Sequence, residues 1–272
     1  MKEDLDPRAA GGERFGAKVC IVTGAGQGIG RATAKRMAAE GAKLVVADRA
    51  VEAANETLTR LTDAGVEAIP DHSDLSTFAG AQSLMQVAVD HFGRIDVLVN
   101  GVGGTIWWQP FDLYTEEQIN LELERSLYTT LWSCRAVLPY MVAQEGGVIV
   151  NVGSSVVTGG TMRVPYALSK GGVNALTLTL AKEYGTKGIR VNGISPGGTD
   201  IPDRTTSRFT LKPGVEADPV PDQETYRSEA RTRQTSLGRR GRPEEQASAI
   251  AFMASEDASF INGQILLVDG GQ

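Results

Sequence analysis

Short apolar runs rich in valine and isoleucine recur along the chain: KVCIVTG, KLVVADR, VEAIPDHSD, IDVLVNGVG, GVIVNVGS, IRVNGISPG and GQILLVDGG. They are nearly continuous in hydrophobicity rather than alternating, as expected of strands covered on both faces. Between them lie longer stretches with apolar residues at helical spacing. Two of these are GIGRATAKRMAAEG, which stops at Gly41, and PYALSKGGVNALTLTLAKEYG, which stops at Gly185. The alternation predicts one α/β domain: a Rossmann-like doubly wound sheet of seven parallel strands, with about six long helices on its two faces.

Two segments break the rhythm. Residues 1–14 are polar and contain glycine, which predicts a disordered tail and leaves residues 15–272 as the domain. Residues 199–240 are long, polar and interrupted by prolines. An insertion of that size inside a compact domain is expected to be a substrate lid or binding loop.

Charge and composition narrow the partners. With 27 basic against 33 acidic residues and no long run of one sign, neither nucleic acid nor an anionic membrane is expected, and a small molecule is. Cys20 and Cys134 lie far apart, and the first sits in an apolar run as a small buried hydrophobe would. No apolar stretch is long enough to span a bilayer and the polar start lacks a secretory core, so a cytoplasmic location is expected. Nothing in the pattern calls for a metal.

The first strand runs directly into TGAGQGIG, where Gly24, Gly26, Gly28 and Gly30, with Gln27 and Ile29 between them, open a helix. Such a turn lets a pyrophosphate approach main-chain N–H groups at the positive end of the helix dipole. The second strand ends in Asp48, 20 residues after Gly28, the context of a dinucleotide site. A carboxylate there accepts from both ribose hydroxyls and repels a 2′-phosphate, which favours NAD over NADP. Arg49 is the dissenting residue, but Gln27 adds no second positive charge. Asp74, with Leu75, is read as closing the third strand, where it would meet an adenine amine or else cap the helix that follows.

Tyr166 and Lys170 stand four residues apart on a predicted helix and so share one face. An ammonium beside a phenol stabilises the phenolate and lowers its pKa, making the tyrosine a general base for an alcohol proton. Ser154 and Ser155, at the end of the preceding strand, are placed to bind the substrate oxygen. In NGVGGTIWWQP two of the three tryptophans, Trp107 and Trp108, stand side by side after a run of glycines. Neighbours in an extended segment point to opposite sides, so one faces a pocket and the other packs, unless both are core. Arg163, three residues before Tyr166, would clamp a substrate carboxylate if turned inward and would be an ordinary loop arginine if not. Arg204 and Arg208 of the lid are rival clamps.

Taken in order, TGAGQGIG, an N-x-x-G at Asn100 and Gly103, a serine ahead of YALSK, SPGGTD and INGQILLVDGG resemble the short-chain dehydrogenase/reductase family over residues 16–272. The resemblance implies that Tyr166 is the catalytic acid/base, and that Lys170 lowers its pKa and holds the nicotinamide ribose. Asn100 would keep the cofactor's floor in place, and Pro196, Gly197 and Thr199 would touch the carboxamide. Gly101 departs from the family's second asparagine, and Ser126 falls where an asparagine often holds a water for proton relay. Counting from Asn151 picks Ser154 as the catalytic serine, whereas counting back from Tyr166 picks Ser155. Assembly as a homotetramer through two long helices is also implied.

Within the family, GGTIWW, RSLYTTLWSCRAVLP and RVPY resemble the dehydrogenases of aromatic-acid cis-dihydrodiols. That implies NAD-dependent oxidation of a 1,2-dihydroxycyclohexa-3,5-diene-1-carboxylate to a catechol with loss of CO2. Oxidation of a 2,3-diol with the carboxylate retained (cumate type), and a generic alcohol or 3-oxoacyl reductase, are the alternatives. A non-catalytic NAD-sensing regulator is the rival from a different class.

Overall fold

All seven apolar runs become strands of one parallel sheet. They are β1 (Val19–Thr23), β2 (Lys43–Ala47), β3 (Ala68–Asp71), β4 (Val97–Asn100), β5 (Gly147–Val152), β6 (Ile189–Pro196) and, after a separate antiparallel hairpin of β7 (Thr210–Lys212) and β8 (Val215–Glu216), β9 (Ile265–Val268). The strand order is β3-β2-β1-β4-β5-β6-β9. The computed structural model describes residues 13–202, 204–207, 209–212, 214–218, 220–222, 224–225 and 235–272.

The continuous hydrophobicity has a simple cause. Successive side chains of β1 and β2 feed two separate cores: Cys20, Val22, Leu44 and Val46 enter one, and Ile21 and Val45 the other. The first core is closed by α1 (Gly28–Ala39), α2 (Val51–Asp63) and α7 (Pro243–Ala254). The second is closed by α3 (Phe78–Phe92), α5 (Thr129–Ala143) and α6 (Val164–Tyr184). Among the described residues no helix is long and apolar enough to cross a membrane.

The expected long helix over TEEQINLELERSLYTTLWSCRAVLPYMVAQ forms with an interruption. A capping box at Thr115 and Gln118 starts α4 (Glu116–Leu123), and a π-helical turn over Glu124–Tyr128 joins it to α5. Single π turns of this kind tend to mark functional sites, and this one carries Ser126, fully buried.

Three boundaries differ from the sequence reading. Arg14, predicted to lie in the tail, is tied to the domain, pairing with Glu40 through both Nε and Nη2 at 2.6 Å beside the buried Phe15; residues 1–12 lie outside the described residues. Gly185 stays right-handed and continues into a 3-10 turn, so Gly188, at φ 73°, makes the left-handed stop. Asp74 does not close the third strand, since β3 ends at Asp71 and Asp74 sits in the turn after it. The turn's helix cap is Thr77, which accepts from Gly80 N, while Asp74 accepts from Ser76 N and Oγ.

Sequential strands run outward in opposite directions from the β1–β4 pair, where Thr23 faces Asn100. At such a switch point the loops after the strands part and leave a crevice for a ligand.

Candidate active site

A cleft of about 1200 Å³ opens at the carboxyl ends of the strands, along the β1–β4 switch point. Its floor at one end is main chain. Gly24 and Gly28 have φ of 68° and 55°, the left-handed region that glycine enters without strain. A Cβ on Gly30 would lie 2.0 Å from Gly24 O, so α1 can start this close to the loop only without a side chain there. The N-cap Gln27 offers no side-chain hydrogen bond to the helix, so the first N–H groups of α1 face the cleft uncapped.

Asp48, at the end of β2, lines the cleft; its Oδ2 accepts from Gly26 N at 2.9 Å and its Oδ1 from Ala50 N at 3.0 Å. Each oxygen retains acceptor capacity, so a glycine cradle at a helix N-terminus beside a fixed carboxylate fits the diphosphate and ribose of a nicotinamide dinucleotide. Leu75, Gly101, Pro196, Gly197 and Thr199 also line this trough. Asn100 does not. It is buried beneath the floor, where Nδ2 donates to Asn151 Oδ1 at 2.9 Å and to Cys134 Sγ at 3.3 Å. Gly101 explains the missing second asparagine, because a Cβ there would sit 2.5 Å from Thr23 O.

Gln27 and Arg49 turn out to bind the segment after β6. Gln27 Oε1 accepts from Thr205 N and Thr206 N, both at 2.9 Å, and Nε2 donates to Thr206 O at 3.1 Å. Arg49 Nη2 donates to Thr210 O at 3.3 Å, and Arg125 Nη2 reaches the same carbonyl at 2.6 Å. Burial, and then the charge of Arg49, pull the Arg125 guanidinium down to about 10. Arg204 lines the cleft as well, and Arg208 lies outside the described residues.

At the other end Tyr166, Lys170, Ser154 and Ser155 line one wall. Lys170 is 2 % exposed, and Nζ donates to Val152 O at 2.8 Å. Burial alone pushes its ammonium down to about 8. A Cβ on Gly103 would approach Nζ to 2.8 Å, so the glycine leaves room for the ammonium. The two serines have different partners: Ser154 Oγ accepts from Val156 N at 3.2 Å, while Ser155 Oγ donates to Gln272 Oε1 at 3.2 Å. Ser126 is sealed behind the glycines, accepting from Gly104 N at 3.3 Å, and does not reach the cleft surface.

The tryptophans separate. Trp107 and Trp108 are both buried, but only Trp108 lines the cleft; Trp107 Nε1 donates to Asp218 O, just after β8, at 3.3 Å. Arg163 lines the cleft too, its guanidinium carbon 5.8 Å from the Trp108 ring centroid. It follows Met162, a non-glycine residue at φ 60°. The carbonyl of Met162 is held by Gln109 N at 3.0 Å and Tyr114 Oη at 3.2 Å, so a strained turn is fixed immediately before the cation.

Glu122, Tyr114 and Arg125 were not singled out from the sequence. Glu122 is fully buried on α4, one helical turn before Ser126, and that i, i+4 relation to an inward-facing position was the only signal available. Desolvation raises its carboxyl to about 7 against the hydrogen bonds it accepts. Among the described residues no group of three or more His, Cys, Asp or Glu is placed to hold a metal.

Known proteins match this arrangement along nearly the whole chain. The model of a family described as short chain dehydrogenase matches residues 18–211. The 1,6-dihydroxycyclohexa-2,4-diene-1-carboxylate dehydrogenase of Acinetobacter baylyi is 47% identical over 263 residues, 95% of this chain and 97% of its own. An enzyme of the same description from Pseudomonas putida is 45% identical over 265 residues, covering 95% and 94%. A solved structure of a 7α-hydroxysteroid dehydrogenase, complexed with NADH and 7-oxo glycochenodeoxycholic acid, superposes with a TM-score of 0.81 at 30% identity and covers 98% of each chain. The fold, the glycine cradle beside Asp48, the Tyr166–Lys170 pair and these matches together establish that the chain is an oxidoreductase belonging to the short-chain dehydrogenase family.

Proposed function

We propose that the chain is an NAD-dependent dehydrogenase of a cyclic cis-diol that carries a carboxylate on the ring, of the 1,2-dihydroxycyclohexa-3,5-diene-1-carboxylate type. The observation that carries the reading is the corner formed by Trp108 and Arg163 in the cleft wall beside Tyr166. A flat apolar ring suits the indole face, and a carboxylate suits a guanidinium that keeps its charge. Relatives of that activity at 47% and 45% identity support the same substrate class.

Asp48 selects the cofactor in this reading, since its carboxylate would bind both ribose hydroxyls and oppose a 2′-phosphate. The glycine loop would hold the diphosphate, and Pro196 to Thr199 the carboxamide. When bound, the nicotinamide supplies the acceptor for a hydride.

Tyr166 takes the proton of the hydroxyl on the ring carbon adjacent to the carboxylate-bearing one, as that adjacent carbon, the one with a hydrogen, gives it up with the bonding pair. Lys170 favours the phenolate that does this, and Ser154, whose Oγ accepts from Val156 N, is left with its own proton to donate to the substrate oxygen. Ser155 is committed to Gln272. Oxidation leaves a β-keto acid; the bond to the carboxylate breaks, CO2 departs, and the electron pair with one proton completes the catechol ring. Residues 199–240 act as the lid over this reaction. Leu168 and Leu178 of α6, 62% and 43% exposed, would be covered in a homotetramer built on the long helices.

The test is to incubate the purified protein with NAD or NADP and a panel of cis-dihydrodiols, with and without a ring carboxylate, following reduced-cofactor absorbance and CO2 release. Turnover of carboxylated diols with NAD and stoichiometric CO2 is expected. Oxidation without CO2 would assign a 2,3-diol instead. Activity confined to keto esters with NADPH would remove the diol assignment, and cofactor binding with turnover of no substrate would favour a sensor.

A further inference from the structure

The loop that carries the substrate wall, residues 104–109, belongs to no helix or strand, yet Thr105, Ile106, Trp107 and Trp108 are all buried. Buried main-chain N–H groups outside regular structure must find partners elsewhere. Here one atom serves: Glu122 Oε1 accepts from Ile106 N at 2.6 Å, Trp107 N at 3.1 Å and Thr105 Oγ1 at 3.2 Å. The other oxygen, Oε2, is buried without a hydrogen-bond partner among the described residues. The carbonyl of Glu122 accepts from Ser169 Oγ at 3.4 Å, and Ser169 immediately precedes Lys170 on α6. A single residue of α4 thus contacts both the tryptophan loop and the catalytic helix.

We infer that Glu122 is a positioning residue for substrate selection: its carboxylate fixes the main chain at 105–107 so that Trp107 points to the lid and Trp108 to the cleft. A carboxylate is an unexpected choice for a fully buried site. Two main-chain N–H groups and one hydroxyl could be met by a neutral carbonyl, and burying a charge with one oxygen idle costs free energy. What the charge adds is stronger, shorter hydrogen bonds to the loop, and therefore a stiffer wall. Other bonds hold the loop at its ends, its carbonyls and the Trp107 indole: Gly104 N to Ser126 Oγ at 3.3 Å, Gln109 N to Met162 O at 3.0 Å, Tyr114 Oη and Thr105 Oγ1 to Trp107 O at 2.8 and 3.1 Å, and Trp107 Nε1 to Asp218 O at 3.3 Å; none of them takes the N–H groups of Ile106 and Trp107.

The inference rests on the proposed reaction for its kinetic readout only, and a second readout is independent of it. Glu122→Gln keeps an acceptor oxygen in place and removes the charge; Glu122→Leu removes both. With the carboxylated diol, KM is expected to rise about threefold in the glutamine variant and at least tenfold in the leucine variant. In both, kcat should stay within about threefold and the NAD dissociation constant should not change. In a Trp132→Phe background, which leaves Trp107 and Trp108 as the reporters, acrylamide quenching should increase in Glu122→Gln whatever the true substrate is. Should Glu122→Leu fail to fold, the glutamine variant carries the test alone. An unchanged KM together with unchanged quenching overturns the inference. A rise in KM matched by equal weakening of NAD binding also overturns it, because that is what a general structural role would give. Increased quenching in a protein that oxidises no diol keeps Glu122 as the loop's anchor and removes only the proposed reaction.

Discussion

Around Gly24 to Gly30 the cleft wall is main chain, and the distances that matter run from backbone to backbone: 2.0 Å from a Cβ at Gly30 to Gly24 O, and 2.5 Å from one at Gly101 to Thr23 O. Around Trp108 the wall is side chain, brought from the loop after β4, from Arg163 at the start of α6 and, beneath them, from Glu122 on α4. A backbone site has few solutions, each dictated by local stereochemistry. A side-chain site has many, and they can be retuned residue by residue without disturbing the sheet. In the proposed reading the first half therefore binds one kind of molecule in one way, and the second half is where a substrate is chosen.

The strongest way to break that contrast is to put a side chain into the backbone half. Gly30→Ala places a Cβ where no rotamer can relieve the clash, so nucleotide binding should be lost and stability should fall by about 3 kcal/mol or more. Equilibrium nucleotide titration and chemical denaturation check both. An alanine variant that binds NAD normally would show that the loop yields, and the contrast would go.

Next in size is the chemistry that joins the halves. Tyr166→Phe keeps the ring and removes the proposed proton acceptor, so kcat should fall by about 10³-fold while the NAD dissociation constant stays put. Single-turnover absorbance of reduced cofactor is the measurement. A loss of less than about tenfold would place the base elsewhere.

Smaller again is the effect expected of one side chain in the selective half. Arg163→Met should raise KM for a carboxylated cis-diol by about 10 to 100-fold, the worth of one charge-assisted pair, and leave an uncarboxylated diol unaffected. If both diols suffer alike, Arg163 is a packing residue and the carboxylate is held by another cation of the cleft.

The same contrast decides what could be read from the sequence. TGAGQGIG and Asp48 are legible because close backbone approach demands glycine at fixed positions, and because a strand followed by a helix fixes where the acid falls. Tyr166 and Lys170 are legible as neighbours on one helix face. Glu122 is not. In TEEQINLELER it is one acid among several, and only the packing of α4 against the tryptophan loop makes it buried. The π turn at Glu124–Tyr128 and the hairpin β7–β8 likewise answer to tertiary contacts, among them the hydrogen bonds of Arg125 and Arg49 to Thr210 O. Gln27 reads as part of a phosphate loop, yet it spends its side chain on Thr205 and Thr206, nearly 180 residues away.

The finest test of the contrast asks whether the selective half is held in place at a cost to stability. Burial lifts the Glu122 carboxyl from its ordinary value of 4.5 to about 7. A carboxyl so raised binds its proton more tightly in the folded state, so its contribution is fully present below about pH 4.5 and is lost as pH rises through about 7. The titratable groups facing it, Arg125 from the π turn that follows α4 and Tyr114 from the turn before α4, titrate well above this window. The whole linkage is worth about 3 kcal/mol at most. Glu122→Gln escapes it but buries an amide N–H2 in place of Oε2, which takes back about 1 to 2 kcal/mol. The stability of the variant relative to the native chain should therefore rise by about 2 to 3 kcal/mol from pH 5 to pH 8, measured by urea denaturation at both, from level or slightly below at pH 5 to about 1 to 2 kcal/mol above at pH 8, while it binds substrate less well. A difference that stays flat across those two pH values would mean that the carboxyl is not carrying a buried charge, and that the substrate wall is stiffened without loss of stability.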